Sequence, residues 1–341
     1  MKKQYKIVFT VFGFAVFVYL VWDFGIENII TNVQQTGWWF IPIIGVWGIV
    51  YLLNALAWHA IIAKGEQRVK FAQIFSVTLS GFAINYVTPF LNLGGEPYRV
   101  LALRDMLGMR HALSSVILYN MLHMLSHLLF WLVAVGALAF VLPVSTGIAL
   151  LMMVTSAVLI LIIGFFFSRH KNGIFESLLN LVLKIGILRP LATKLQQREE
   201  GLLAIDKLIT ELYSAYKGSF FTALFLEFVA RVVAALEFYF MFLAIGLPIS
   251  LLSALYIYAA SSLILNILFF MPFELGAREG SLYLVAESLG MTAGVGIYAA
   301  LINRVREFFW ILIGLALIQL SGQKVPRKEL LNMHTAVGEC K

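Results

Sequence analysis

Hydrophobic residues make up 61% of the 341 and charged residues only 13%, against about a quarter charged in ordinary soluble domains, which excludes a soluble globular protein and identifies an integral membrane protein. The formal charge of +7 does not point to nucleic acid, because the Lys and Arg residues sit in connecting loops and in the tail, as the positive-inside bias places them. Cys340 is the single cysteine, so a disulfide within the chain and a cysteine-based metal site are both excluded.

Several apolar runs reach the roughly 20 residues that a helix needs to cross a bilayer core of about 30 Å. The alternation over about 10 residues that marks barrel strands does not recur. Lys2, Lys3 and Lys6 precede the run Ile7 to Trp22 with no small-x-small cleavage site after it, which predicts an uncleaved anchor helix. Trp38 to Ala63 is the second span. The connection between them, Asp23 to Gly37, has acids and no Lys or Arg, whereas Lys64, Arg68 and Lys70 follow the second span, so the N-terminus is expected in the cytoplasm.

Phe71 to Phe90 is apolar, yet Arg99, Arg104, Arg110 and His111 follow almost at once. This predicts a re-entrant hairpin, in through Phe71 to Thr88 and back through Pro97 to Leu107, which keeps the basic cluster inside. Ala112 to Leu142 reads as a long, tilted span holding Asn120, His123 and His127. Thr146 to Ser168 returns inward. Between Arg169 and Lys217 lies the long polar stretch, where Ile205, Leu208, Ile209 and Leu212 recur at helical spacing. It is expected to lie on the cytoplasmic membrane face as a connector between two halves, with recognition of an anionic lipid headgroup as the alternative. Ser219 to Ile245 is the next span, with Glu227 and Arg231 one turn apart and able to pair. Ser250 to Met271 re-enters, Ile297 to Leu320 is the last span, and Lys324, Arg327 and Lys328 end the chain in the cytoplasm.

The stretch from Asn85 to Asp105, NYVTPFLNLGGEPYRVLALRD, breaks this pattern. Pro89, Gly94 and Gly95 free backbone groups that lipid cannot satisfy, so the break must be buried in protein or line a wet cavity. Glu96 and Arg99 beside it mark a functional site. The second half echoes it: PFELGAREG, from Pro272 through Glu274, Gly276, Arg278 and Glu279 to Gly280, repeats the Pro-Phe, Leu-Gly and Glu of PFLNLGGEP. The elements around each copy correspond, which predicts an all-α membrane protein of about six full spans plus two re-entrant hairpins, built as an inverted repeat. Residues 1–142 form the first repeat, 143–320 the second with its amphipathic connector at 169–217, and 321–341 a cytoplasmic tail. Transporters of this plan place their site at the repeat interface. Helix starts after Gly95 and Gly280 are expected to aim free N–H groups at the meeting point of the hairpins, suited to a phosphate.

Glu96, Arg99, Glu274, Arg278, Glu279, Arg304, Arg306 and Glu307 all fall in or beside membrane segments. Each costs roughly 2.5 to 3.5 kcal/mol at a helix centre, so they must pair or meet water or ligand. Glu96 paired with an Arg of the other half would hold the repeats together; Arg304 and Glu307, three apart, suit a local pair. For Arg99 and Arg278 contact with a lipid phosphate is favoured, because a guanidinium fork matches phosphate oxygens. His123 and His127 are spaced to share a metal, but no third ligand is in sequence reach, so packing, cavity-lining or proton-relay roles are left for them. No GxSxG, HExxH, P-loop or GxGxxG pattern stands in a workable context. The expectation is therefore no enzyme, no cofactor, no metal and no direct use of ATP.

TPFLNLGGEPYR and PFELGAREG, with INRVREFFW following, together resemble the flippase-like integral membrane family that includes the transmembrane half of lysylphosphatidylglycerol synthases. The resemblance covers roughly Lys6 to Leu320 and implies movement of an aminoacylated, glycosylated or polyprenyl-linked lipid between leaflets of the plasma membrane. It carries a substrate role onto Pro89, Gly94, Gly95, Glu96 and Arg99, onto Pro272, Gly276, Arg278 and Glu279, and onto Arg304; Asn85 and Glu274 join them from the breaks themselves. The sequence departs from the lysyl-lipid synthases in having no soluble catalytic domain after the membrane region, so it is expected to move a lipid made by a separate lipid-modifying enzyme. It departs also at Glu274, where a glycine-rich turn stands in many relatives. Two other readings stay open: a secondary transporter of a small anion, and an assembly subunit for a lipid-modifying enzyme that transports nothing.

Overall fold

A computed structural model describes residues 18, 26–62, 69–87, 94–138, 146–169, 210, 217–269, 271–274 and 276–320. Among them every regular element is helical: α1 (Ile26–Thr36), a 3₁₀ turn (Gly37–Trp39), α2 (Phe40–Ile62), α3 (Phe71–Val87), α4 (Gly95–Leu107), α5 (Met109–Leu138) and α6 (Thr146–Arg169). After the connector come α7 (Lys217–Ala244), α8 (Leu251–Ile267), a second 3₁₀ turn (Pro272–Glu274), α9 (Ala277–Ser288) and α10 (Ala293–Leu320). The protein is a polytopic helical membrane protein, as its composition requires.

Local chemistry sets the element ends. Pro42 sits in the first turn of α2, where its missing N–H costs no hydrogen bond. Ser250 caps α8 by accepting the Ser253 N–H at 3.0 Å. Segments Gln34–Ile62, Met109–Ala137 and Lys217–Ala244 are long and apolar enough to cross a bilayer, while Phe71–Val87, Met152–Phe165 and Leu251–Ile267 are shorter apolar helices. The short lengths of α3 and α8 suit the first limbs of the two expected hairpins. α10 is as long as a span but carries Arg304, Arg306 and Glu307 through its middle.

Solvent preference runs inside out. Arg99, Glu227, Arg231, Glu237 and Arg306 are buried, while Leu161 and Met153 of α6 stand 73% and 69% exposed. In water this placement would be costly on both counts; in lipid the apolar exterior is the solvated one.

The packing follows a regular scheme. α2 runs against α7, with Ala55, Ala57, Ala230 and Ala234 fully buried; small side chains let membrane helices approach closely. α2 packs on α3 and α7 on α8; α3 packs on α4 and α8 on α9; α4 packs on α5 and α9 on α10; α3 meets α10 and α5 meets α8. At the crossing of α3 and α10 a Cβ on Gly314 would stand 2.4 Å from that of Ala83, and Ser80 Oγ donates to the Gly314 carbonyl at 2.9 Å.

Four boundaries differ from the sequence reading. The connection Asp23 to Gly37 contains a helix, α1, because Ile26, Ile29, Ile30 and Val33 recur at helical spacing, and Thr36 Oγ1 meets Tyr298 Oη of α10 at 2.8 Å. α5 starts at Met109, before Ala112, and α10 starts at Ala293, before Ile297. α9 starts at Ala277 rather than after Gly280, since Gly276 takes φ +76° and its N–H is held by the Glu279 carboxylate at 2.9 Å. The anchor helix apart from Val18, the amphipathic connector apart from Thr210, Pro89 and the C-terminal tail lie outside the described residues.

Candidate functional site

The first break is built on close backbone contact. A Cβ on Gly95 would stand 2.2 Å from the Gly81 carbonyl oxygen, so glycine lets α4 start directly against α3. Asn85 Oδ1 accepts the Gly95 N–H at 2.6 Å, and Asn85 Nδ2 donates to Glu96 Oε1 at 3.3 Å. One helix-start donor that was expected to face a phosphate is thus taken by the protein itself. Gly94 is the residue that caps α4, in a helical conformation.

Arg99 lies one turn further on and is 1% exposed. Its guanidinium sits 4.6 Å over the Phe82 ring and 5.5 Å and 5.8 Å from the Tyr119 and Trp58 rings. Glu96 Oε1, at 3.6 Å from Arg99 Nη1, is its carboxylate partner, so Glu96 pairs within its own helix and not with the other half.

The second break is held by two arginines. Phe273 and Glu274 take φ values of +53° and +55°, a left-handed conformation that side chains other than glycine seldom adopt. Arg304 donates to the carbonyls of both residues at 3.3 Å, and through Nε to Glu279 Oε1 at 2.8 Å. Arg278 lies between Glu274 and Glu307 and bonds both. Arg304 and Glu307 therefore each reach α9 or its turn instead of pairing with one another. Pro272 opens the 3₁₀ turn, where its ring restricts the backbone at the start of the reversal.

Two further networks come from helix interiors. Arg306 on α10 donates from Nε and Nη2 to the two oxygens of Glu237 on α7, at 2.9 Å and 3.2 Å. Trp47 on α2 donates to the same carboxylate at 2.6 Å and stacks under the guanidinium at 3.8 Å. On α7, Arg231 donates to Glu227 at 3.1 Å, the pair expected from their spacing. His123 Nδ1 lies 2.8 Å from Glu227 Oε2, and Asn54 donates to that oxygen at 3.3 Å. Such buried charges persist in a low dielectric because each is paired and hydrogen-bonded.

These groups surround a cavity of about 290 Å³. Asn85 brings the first hairpin to its wall and Glu274 and Arg278 bring the second. Glu96, Arg99, Gly94, Gly95, Gly276, Glu279 and Arg304 stand behind the wall, fixing the breaks; Phe82, which lines the cavity, separates it from Arg99. Most of the wall comes from residues outside the predicted set: Trp47, Asn54, His123, His127, Arg231, Glu237, Asn303, Arg306 and Glu307. The charged ones had a readable signal, since a Glu or Arg inside an apolar run is costly; Trp47 and Asn54 gave none beyond polarity. Among the described residues no group of three or more His, Cys, Asp or Glu is placed to hold a metal ion.

An apolar shell of helices around a cavity lined by paired charges defines a polytopic membrane protein with a charged interior. The chain matches the family described as the lysylphosphatidylglycerol synthase TM region over residues 5–314 and belongs to that family. No curated protein and no solved structure matches it.

Proposed function

We propose that this protein moves a membrane lipid from one leaflet to the other, with the headgroup passing through the cavity and the acyl chains remaining in the bilayer. The observation that carries this reading is the cavity itself: both hairpins reach its wall, the first through Asn85 of α3 and the second through Glu274 and Arg278, inside a bundle whose outer surface is apolar. Membership of a family named for lipid-modifying synthases supports a lipid as the cargo. The matched packing of α2, α3, α4 and α5 with that of α7, α8, α9 and α10 supports two related halves. Opposed halves that rock about such a cavity expose it to each leaflet in turn.

The test is lipid translocation in proteoliposomes with Arg278→Ala and Glu96→Gln. Arg278→Ala strips the shared cation from Glu274 and Glu307 in the cavity wall; Glu96→Gln weakens the first break. Both should abolish translocation while size-exclusion profiles and helical circular dichroism stay as in the unmodified protein. Unmodified rates in both variants would overturn the reading. Uptake of a soluble anion without lipid movement would instead favour the anion transporter, and co-purification with a lipid-modifying enzyme without any transport would favour the assembly subunit.

A further inference from the structure

We propose that His123 is a proton-binding site in the cavity wall and that a proton taken up there crosses the membrane together with the lipid headgroup. This rests on the reading of the cavity as the headgroup path. His123 lines the cavity with its side chain 25% exposed, while Glu227 behind it is fully buried. His123 Nδ1 lies 2.8 Å from Glu227 Oε2, and Arg231 Nη2 lies 2.8 Å from Nδ1 and 2.9 Å from Nε2. Arg231 and Asn54 both donate to the same Glu227 oxygen, at 3.1 Å and 3.3 Å, which marks it as the acceptor of an ionised carboxylate. A carboxylate only accepts and a guanidinium only donates. The imidazole therefore satisfies both neighbours in one form alone: neutral, with its proton on Nδ1 toward Glu227 and the Nε2 lone pair toward Arg231.

A second proton changes what Arg231 meets. It places an N–H on Nε2 against the N–H groups of the guanidinium and sets two cations beside one carboxylate. Arg231 loses its acceptor on the ring, and because Arg231 itself lines the cavity, the released donor becomes available to a headgroup oxygen, whether of phosphate or hydroxyl. Proton and headgroup bias one side chain in the same direction, so each helps the other to bind. When the headgroup leaves, Arg231 returns to Nε2 and the proton departs to water on that side. Buried ionisable groups of this kind mark proton paths in membrane transporters. The other helices packed on α5 offer no better acceptor. Arg99 on α4 is paired with Glu96, α2 and α8 bring Tyr51 and Tyr258 to the wall, and α6 has no ionisable residue before its last, Arg169. On α5 itself the rings of Tyr119 and His127 lie 5.8 Å and 5.3 Å from that of His123. Of these types only histidine ordinarily changes charge between about pH 5 and 8, and His127 Nδ1 is buried without a partner, so no carboxylate holds an added proton there.

The experiment asks whether a proton gradient does work on the lipid. The full-length protein is placed in phosphatidylcholine vesicles with trace fluorescent phosphatidylglycerol, lysyl-phosphatidylglycerol or monoglucosyl-diacylglycerol, the membrane potential is held at zero, and the label in each leaflet is read with an impermeant quencher against protein-free vesicles. With a gradient of about one pH unit, one proton per lipid should raise the transported lipid on the alkaline side to about tenfold its level on the acidic side. Without a gradient the two leaflets should be equal. Equal leaflets under the gradient, while lipid crosses in both directions, overturn this inference alone; movement of none of the three lipids sinks the lipid-transport reading beneath it. His123→Gln, which keeps polar contacts but takes no proton, should abolish the accumulation, and full accumulation in that variant overturns the assignment to His123. Nitrogen-15 NMR of the histidine-labelled protein reads the proton independently of transport, the His123 signal being the one that His123→Gln removes or, should that variant fail to fold, the one that Glu227→Gln shifts. The neutral ring should carry its proton on Nδ1 and gain a second on Nε2 as the sample is taken from about pH 8 to about pH 4. A ring that stays neutral throughout, or whose neutral form is protonated on Nε2, overturns the inference.

Discussion

Arg304 donates from Nη1 to the carbonyl oxygen of Phe273 at 3.3 Å, and Phe273 holds φ at +53°. A guanidinium from α10 thus fixes a peptide in a conformation that costs on the order of 1 to 3 kcal/mol. The same side chain bonds the Glu274 carbonyl and the Glu279 carboxylate, so one residue over-determines the whole reversal between α8 and α9.

Arg304→Ala should therefore lower stability by about 2 kcal/mol, the scale of hydrogen bonds to a charged donor. Adding Phe273→Gly, which adopts the left-handed region freely, should make the double variant lose less than the sum of the single losses. Thermal unfolding in detergent measures both, and strict additivity would show that the arginine does not hold the turn.

For Glu237 and Arg306 the prediction concerns a pair. Both are within 2% of full burial, so Glu237→Gln or Arg306→Met alone leaves one charge bare and should cost about 3 to 5 kcal/mol. The double variant should recover most of that loss. Yield and thermal unfolding of the three variants report it, and a double variant as unstable as the worse single one would contradict the pairing.

Close helix contact gives a third test. Gly314→Ala places a methyl 2.4 Å from the Ala83 Cβ and 2.9 Å from the Leu79 carbonyl oxygen, an overlap that should cost about 1 to 3 kcal/mol. Gly136, on α5, has nothing within 4 Å of such a methyl, so Gly136→Ala should be neutral or stabilising by up to about 1 kcal/mol. Equal melting temperatures for the two variants would argue against the crossing of α3 and α10.

A fourth test addresses the first break. Gly95→Ala brings its methyl within 2.2 Å of the Gly81 carbonyl oxygen and should separate α4 from α3, reducing lipid movement far more than Gly280→Ala, where nothing lies within 4 Å. Proteoliposome assays of the two variants decide it, and matching losses would remove the distinction.

Much of this was legible from residues alone. Apolar length located α2, α5 and α7, proline and glycine located both breaks, and the one-turn spacing of Glu227 and Arg231 announced their pair. What the sequence withheld was partnership over distance. Nothing in the local pattern joins Glu237 to Arg306, 69 residues away, or directs Trp47 to both. Arg304 and Glu307 looked like a pair because helical spacing is readable and tertiary contact is not. The hairpins stand out for the same reason, since a break in a helix is visible in sequence and a wall shared by seven helices is not.

The contact of Trp47, Glu237 and Arg306 joins α2, α7 and α10 at one point. Separating Glu237 from Arg306 would strand both charges in a low dielectric, at a cost of about 3 to 5 kcal/mol. α7 and α10 should consequently hold together at this point as a fixed post for the helices around them. Backbone amides beside Glu237 and Arg306 should then exchange hydrogen slowly; exchange there as fast as at the helix ends would mean that the post itself bends.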